Sequence, residues 1–150
     1  MRWPWSRSPL VQPSGARTSR APITGKPRNA RQQLGRRSEQ LAARHLVSQG
    51  YTILDTNVRF PVGEIDLIAQ DGQTLCFVEV RSTTTDQFGG ALASITDRKR
   101  RHLIGAAQWY LQRIKRMPPE IRFDVVAIDW RADGEPSVEV VQGAFTGDDA

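Results

Sequence analysis

Two acids stand where a buried strand would ordinarily carry aliphatic side chains. In the stretch GEIDLIAQDGQTLCFVEVR, Gly63 to Arg81, Asp66 interrupts one apolar run and Glu79 the next, and Asp71-Gly72 marks a turn between them. Side chains alternate along a strand, so Glu64 and Asp66 fall on one face of the first run, and Glu79 and Arg81 on one face of the second. If the hairpin loop is DGQT, Gln70 opposes Leu75, Asp66 stands across from Glu79 and Glu64 across from Arg81. A two-residue DG loop shifts the register by two and still leaves the four side chains on one face. Like charges facing each other in a sheet are destabilising, and more so in a strand as apolar as LCFVEV. Two compensations are open. One is an ion-pair network in which Glu64 and Arg81 neutralise each other and Arg59 or Arg122 serves the remaining acids. The other is a divalent cation, Mg²⁺ or Mn²⁺. Mg²⁺ takes one or two carboxylates and completes its shell with water and phosphate oxygens, a setting suited to phosphodiester cleavage.

The elements that must position these acids are legible on either side of them. Leu34, Leu41, Ala42 and Leu46 recur close to helical spacing, which predicts a first helix over Arg31 to Gln49, stopped by Gly50. YTILDTNVRF reads as a strand, and the two runs of the acidic stretch follow as a second and a third. After the polar loop STTTDQFGGALAS comes a second helix, Thr96 to Arg116, ended by Pro118-Pro119. On it Lys99, Leu103, Ala107, Tyr110 and Ile114 form an inward stripe that carries Lys99 toward the sheet, while Arg98 and Arg101 lie off it, suited to phosphates or solvent. IRFDVVAIDW and SVEVVQGAF complete five strands. The order α-β-β-β-α-β-β predicts an α/β domain with a mixed central sheet flanked by helices.

Composition narrows the class. One cysteine, Cys76, excludes an intrachain disulfide framework and fits a cytoplasmic setting. No apolar run approaches a membrane span, so no membrane partner is expected. The net charge of +5 is unevenly distributed: residues 1–38 hold nine of the 21 Lys and Arg and none of the 16 Asp and Glu. The basic character therefore belongs to a Pro-, Ser- and Arg-rich arm, residues 1–32, which reads as a disordered tether able to touch phosphates, as a transit-peptide-like segment, or as a plain solvated tail. Residues 33–146 form the domain, and 147–150 read as a disordered tail. His45 and His102 have no carboxylate or Cys at ligand spacing. Asp124, interrupting RFDVVAI, reads as the partner of a nearby Arg rather than as a metal ligand.

GRRSEQLAARHL, TNVRFPVGEIDLIAQDGQTLCFVEVR, a loop with FGG, ITDRKRRHLIGAAQWYL and IRFDVVAID together resemble the bacterial YraN-like family. Through it they resemble the PD-(D/E)XK nuclease superfamily, near the archaeal Holliday-junction resolvases. The resemblance spans Gln33 to Phe145 and implies a restriction-endonuclease-like fold. It implies that Asp66 and Glu79 are metal-binding acids, that Glu39 in the first helix completes the metal site, and that Gly63 and Glu64 belong to a GEID signature. Lys99 matches a basic position of the second helix. Where the superfamily has Lys two residues after the second acid, this chain has Arg81, whose guanidinium can clamp a phosphate but does not deprotonate to act as a base. Lys99 can stand in for the missing Lys. The implied activity is Mg²⁺- or Mn²⁺-dependent endonucleolytic hydrolysis of phosphodiester bonds in DNA, branched or damaged, with Asp66, Glu79, Arg81 and Lys99 as the catalytic set. Arg59, Arg98, Lys99 and Arg101 would contact nucleic acid, and a homodimer would suit a two-stranded substrate. The alternative is a catalytically inactive nucleic-acid-binding protein that keeps the fold.

Overall fold

The computed structural model describes residues 30–84 and 95–149. Residues 1–29 of the basic arm, most of the FGG loop and Ala150 lie outside the described residues; the first helix begins at Ala30, one residue before the predicted start at Arg31. The elements are α1 (Ala30–Ser48), β1 (Thr52–Phe60), β2 (Gly63–Asp71), β3 (Thr74–Thr83), α2 (Asp97–Arg113), β4 (Glu120–Asp129) and β5 (Ser137–Phe145). They build a five-stranded mixed sheet in the order β1-β2-β3-β4-β5, antiparallel throughout except for the parallel pair β3 and β4, which α2 connects. This is the α-β-β-β-α-β-β arrangement that the sequence predicts. Among the described residues no helix is long and apolar enough to cross a membrane. Gly147–Asp149 form a short 3-10 turn after β5.

Each helix covers one face of the sheet because each presents one apolar stripe. Under α1 lie Ala42 and Leu46 with Leu67, Ala69, Cys76, Val78, Val126 and Ile128. Ser38 continues that stripe, and its hydroxyl accepts a hydrogen bond from the Trp130 indole N–H at 2.9 Å. Under α2 lie Leu103, Ile104, Ala106 and Ala107 with Ile68, Leu75, Phe77, Phe123 and Val125, flanked by Tyr110 and Ile114. The inward stripe of the second helix is thus borne out along its length.

Helix α2 opens on the Thr96 cap, whose side chain accepts from the Lys99 backbone N–H at 3.2 Å. It ends earlier than read. Ile114 is already extended (φ −84, ψ 144), so of residues 113–116 only Arg113 is helical. Pro118 forbids helical backbone at Met117, and the chain leaves the helix a turn ahead so that Ile114 still packs on the core. Gly63, the first residue of β2, allows the closest approach to α2: a Cβ there would stand 3.0 Å from the His102 carbonyl oxygen.

Candidate metal centre

The hairpin between β2 and β3 has the first of the two registers considered: Gln70 pairs with Leu75 and Asp71 with Thr74, around Gly72 at φ +59. Continued, that register sets Asp66 opposite Glu79. The ladder stops one residue short, at Leu67 and Val78, and the Asp66 carboxylate occupies the gap, its Oδ2 accepting the Val80 backbone N–H at 2.9 Å.

The alternation expected of β2 also breaks here. Ile65 packs in the core under α2, whereas Leu67, two residues on, packs under α1. Asn57, the β1 residue alongside, has φ 50, the only non-glycine positive φ among the described residues. Asn is among the few residues that tolerate the αL region, and its side chain hydrogen-bonds Glu39 on α1. With the alternation broken, Asp66 does not simply share a face with Glu79. It points into the opening between β2 and β3, within electrostatic range of Glu39 on α1 on one side and of Glu79 on the other.

Glu79 faces α2 and is 1% exposed. Its Oε1 lies 3.1 Å from the Lys99 Nζ and 3.7 Å from an Arg81 guanidinium nitrogen. Among the described residues no donor reaches its Oε2, although that atom is buried. Burial, and then the neighbouring Asp66 charge, push the Glu79 carboxyl up to about 8, against the opposing pull of Lys99. Two ionised carboxylates offer each other no donor; a proton held between Glu79 and Asp66, or a cation, would satisfy both. Glu39 is raised as well, first by burial and then by Asp66, with the Asn57 side-chain hydrogen bond opposing.

The other residues expected at the site fall as follows. Glu64 takes Arg59 as its partner, at 3.6 Å across β1 and β2, in place of the Glu64–Arg81 pair of the ion-pair alternative; the break at Asp66 sends the start of β2 toward its outer neighbour. Arg59 is exposed, as are Arg98 and Arg101 on α2. Arg122 serves Asp71 and Asp124 at the opposite end of the hairpin. Asp124 has an Arg partner, as read.

The donor set fits a divalent cation of the two-carboxylate kind: Asp66 and Glu79 converge, and the buried Glu79 Oε2 has no donor among the described residues. It does not form a three-ligand cage. Among the described residues no three His, Cys, Asp or Glu side chains come close enough for one. Glu39 stands on the α1 side of the sheet and Glu79 on the α2 side, with Asp66 between them. The sequence reading missed the Val80 N–H, which fixes Asp66, and Asn57, whose side chain hydrogen-bonds Glu39; the one available signal was an Asn in mid-strand.

Residues 38–128, which include all of these groups, match the Uncharacterised protein family UPF0102. The chain belongs to this family. It is 47% identical over 117 residues to a UPF0102 protein of Desulfosudis oleivorans, covering 78% of this chain and 93% of that one. A UPF0102 protein of Herminiimonas arsenicoxydans is 52% identical over 104 residues, 69% of this chain and 83% of the relative. One from Janthinobacterium sp. is 50% identical over 110 residues, covering 73% and 89%. The UPF0102 match begins at Ser38 within α1, next to Glu39, and ends at Ile128 near the end of β4, so it takes in the second half of α1, the acidic hairpin and all of α2.

Proposed function

We propose that this protein is a divalent-cation-dependent endonuclease that hydrolyses phosphodiester bonds in DNA. The observation that carries the reading is the Glu79 carboxylate, buried beside Asp66 with an oxygen that no donor among the described residues satisfies. A buried acid is costly to keep charged, and nothing in the packing of β3 requires one. A cation held by Asp66 and Glu79, with Glu39 alongside, would polarise a water and neutralise charge at the phosphate.

The chain's own groups divide the remaining work. Asp66, fixed by the Val80 N–H, is a rigid ligand that cannot swing away. Lys99 Nζ holds Glu79 by a charge-assisted contact and, being 40% exposed, is free to turn toward a phosphate oxygen. Arg81 offers a fixed positive fork beside the same carboxylate and stabilises the pentavalent charge without moving a proton. Arg59, Arg98 and Arg101 hold the backbone nonspecifically.

A second reading is favoured by one observation. Lys99 already pairs with Glu79, so the acid can be a neutralised structural group in a DNA-binding protein without turnover. Cleavage of duplex and branched DNA in Mg²⁺ or Mn²⁺ separates the two. The nuclease reading expects metal-dependent cutting that Asp66→Asn and Glu79→Gln each reduce at least a hundredfold. Intact DNA with wild-type chain, together with binding that survives both substitutions, overturns it in favour of the binder.

A further inference from the structure

Helix α2 carries a second feature that the acidic centre does not use. Trp109 is 40% exposed, a large aromatic left in solvent on a helix whose five cations face the single acid Asp97. The indole is not loose. It stacks on Phe60 with ring centroids 6.4 Å apart and planes at 25°, and the Arg113 guanidinium lies 4.8 Å from the Phe60 centroid on the same platform. Val62, 42% exposed, packs next to it against Gly105. Arg98, His102, Gly105, Trp109 and Arg113 follow one another at i, i+4, i+7, i+11 and i+15, so they form one line along α2 beside the β1–β2 hairpin. At the rise of an α-helix, Trp109 lies ~15 Å along α2 from Lys99, the length of a few nucleotides.

A rigid exposed indole with a guanidinium one turn away and further cations along the same line is the combination that stacks unpaired bases: the ring offers a π-face and the cations meet the phosphates of the strand. A protein partner would match the apolar ring but not the row of Arg around it. A duplex would match the Arg row but keep its base faces covered. We propose that Trp109, backed by Phe60 and with Arg113 one turn beyond it, binds an unpaired base of a single-stranded segment running along α2 toward Arg98 and the acidic centre. This deepens the DNA reading above by naming the form of DNA engaged: a substrate with an unpaired stretch next to the position where it is cut.

Binding is measured apart from cleavage, with the full chain in EDTA at low salt, by fluorescence anisotropy of a labelled oligothymidylate and of a duplex of equal length. Trp109→Ala weakens binding to the single strand about tenfold and leaves duplex binding unchanged. Trp109→Phe, which keeps a stacking face and the Phe60 contact, restores most of the single-strand affinity. Equal losses for both DNA forms, or no loss for either, overturn the proposal. So does a self-association that Trp109→Ala abolishes while single-strand binding is unaffected. Because EDTA removes any metal, loss of the nuclease reading in a separate Mg²⁺ assay leaves this result standing, and the two can fail independently.

Discussion

Asp124 and Glu79 are buried to the same degree on opposite faces of one sheet, at 0% and 1% exposure, and the protein treats them in opposite ways. Every lone pair that matters on Asp124 is used. Oδ1 accepts from Arg122 Nε at 2.8 Å and from the Gly143 N–H at 3.0 Å, while Oδ2 accepts from Arg122 Nη2 at 2.9 Å and from the Tyr51 hydroxyl at 3.3 Å. Gln142 donates to the same Tyr51 oxygen at 2.8 Å, and Arg122 also reaches Asp71 at 2.9 Å. The backbone bends to complete this network: β5 bulges opposite Asp124, where Gly143 adopts φ +60 and so presents its N–H. Glu79 has Lys99 and Arg81 on one oxygen and no donor among the described residues on the other. A buried acid that the fold completes is structural. One that the fold leaves incomplete, next to a second acid, awaits something from outside.

The contrast is broken most forcefully at Asp124. Asp124→Asn removes the charge that balances Arg122 in the interior, and urea denaturation is expected to show a loss of about 3–5 kcal/mol. The same change of acid to amide at Glu79 is expected to act with the opposite sign. Glu79→Gln removes a buried charge and leaves Lys99, already 40% exposed, to water, so the stability at pH 8 rises by on the order of 2 kcal/mol. A loss there comparable to that at Asp124 would place the two acids in the same class.

The pH profile sharpens the comparison further. The folded Glu79 carboxyl titrates near 8, above the 4.5 of the unfolded chain, so the native state holds the extra proton between those values. Stability conferred by protonated Glu79 is therefore present at pH 5, falls as pH rises toward 8, and levels off above. Glu79→Gln flattens that slope in a series of urea melts from pH 5 to pH 9, and its advantage over the wild type shrinks toward pH 5.

Smaller effects mark the edges of the site. Gly63→Ala forces a Cβ against the His102 carbonyl and separates β2 from α2, which costs about 1–2 kcal/mol in the same assay. Arg59→Ala removes only an exposed partner of Glu64 and changes stability by less than about 0.5 kcal/mol.

Much of this architecture was legible in the sequence because it rests on periodicity. The stripe from Lys99 to Ile114 needs only the helical repeat, and it correctly carries Lys99 to Glu79. Asp71-Gly72 marks the hairpin, but it is compatible with two registers, and the pairing of Gln70 with Leu75 is settled only in the folded sheet. What periodicity cannot give is where a repeat is interrupted. A strand pattern assigns Asp66 to one face, whereas β2 changes face between Ile65 and Leu67 and the Val80 N–H holds Asp66 in the opening between strands, and nothing in the spacing of acids encodes that. The Arg122 clamp on Asp71 and Asp124 joins residues far apart in sequence, and the bulge at Gly143 that completes it is set by tertiary contact. The Arg partner of Asp124 could be anticipated; its full set of donors could not.

The central claim is that the incomplete acid, with Asp66, is a cation site. The most direct test is the thermal melting of the full chain at pH 8 in EDTA and in millimolar Mn²⁺, for the wild type and for the double variant Asp66→Asn, Glu79→Gln. A cation bound only by the folded state adds about 2.7 kcal/mol at a hundred times its Kd. The account predicts that Mn²⁺ raises the wild-type midpoint and leaves that of the variant where it is. Identical wild-type midpoints with and without metal, alongside a variant that melts higher in both, would contradict it and make Glu79 a buried acid neutralised by Lys99 alone.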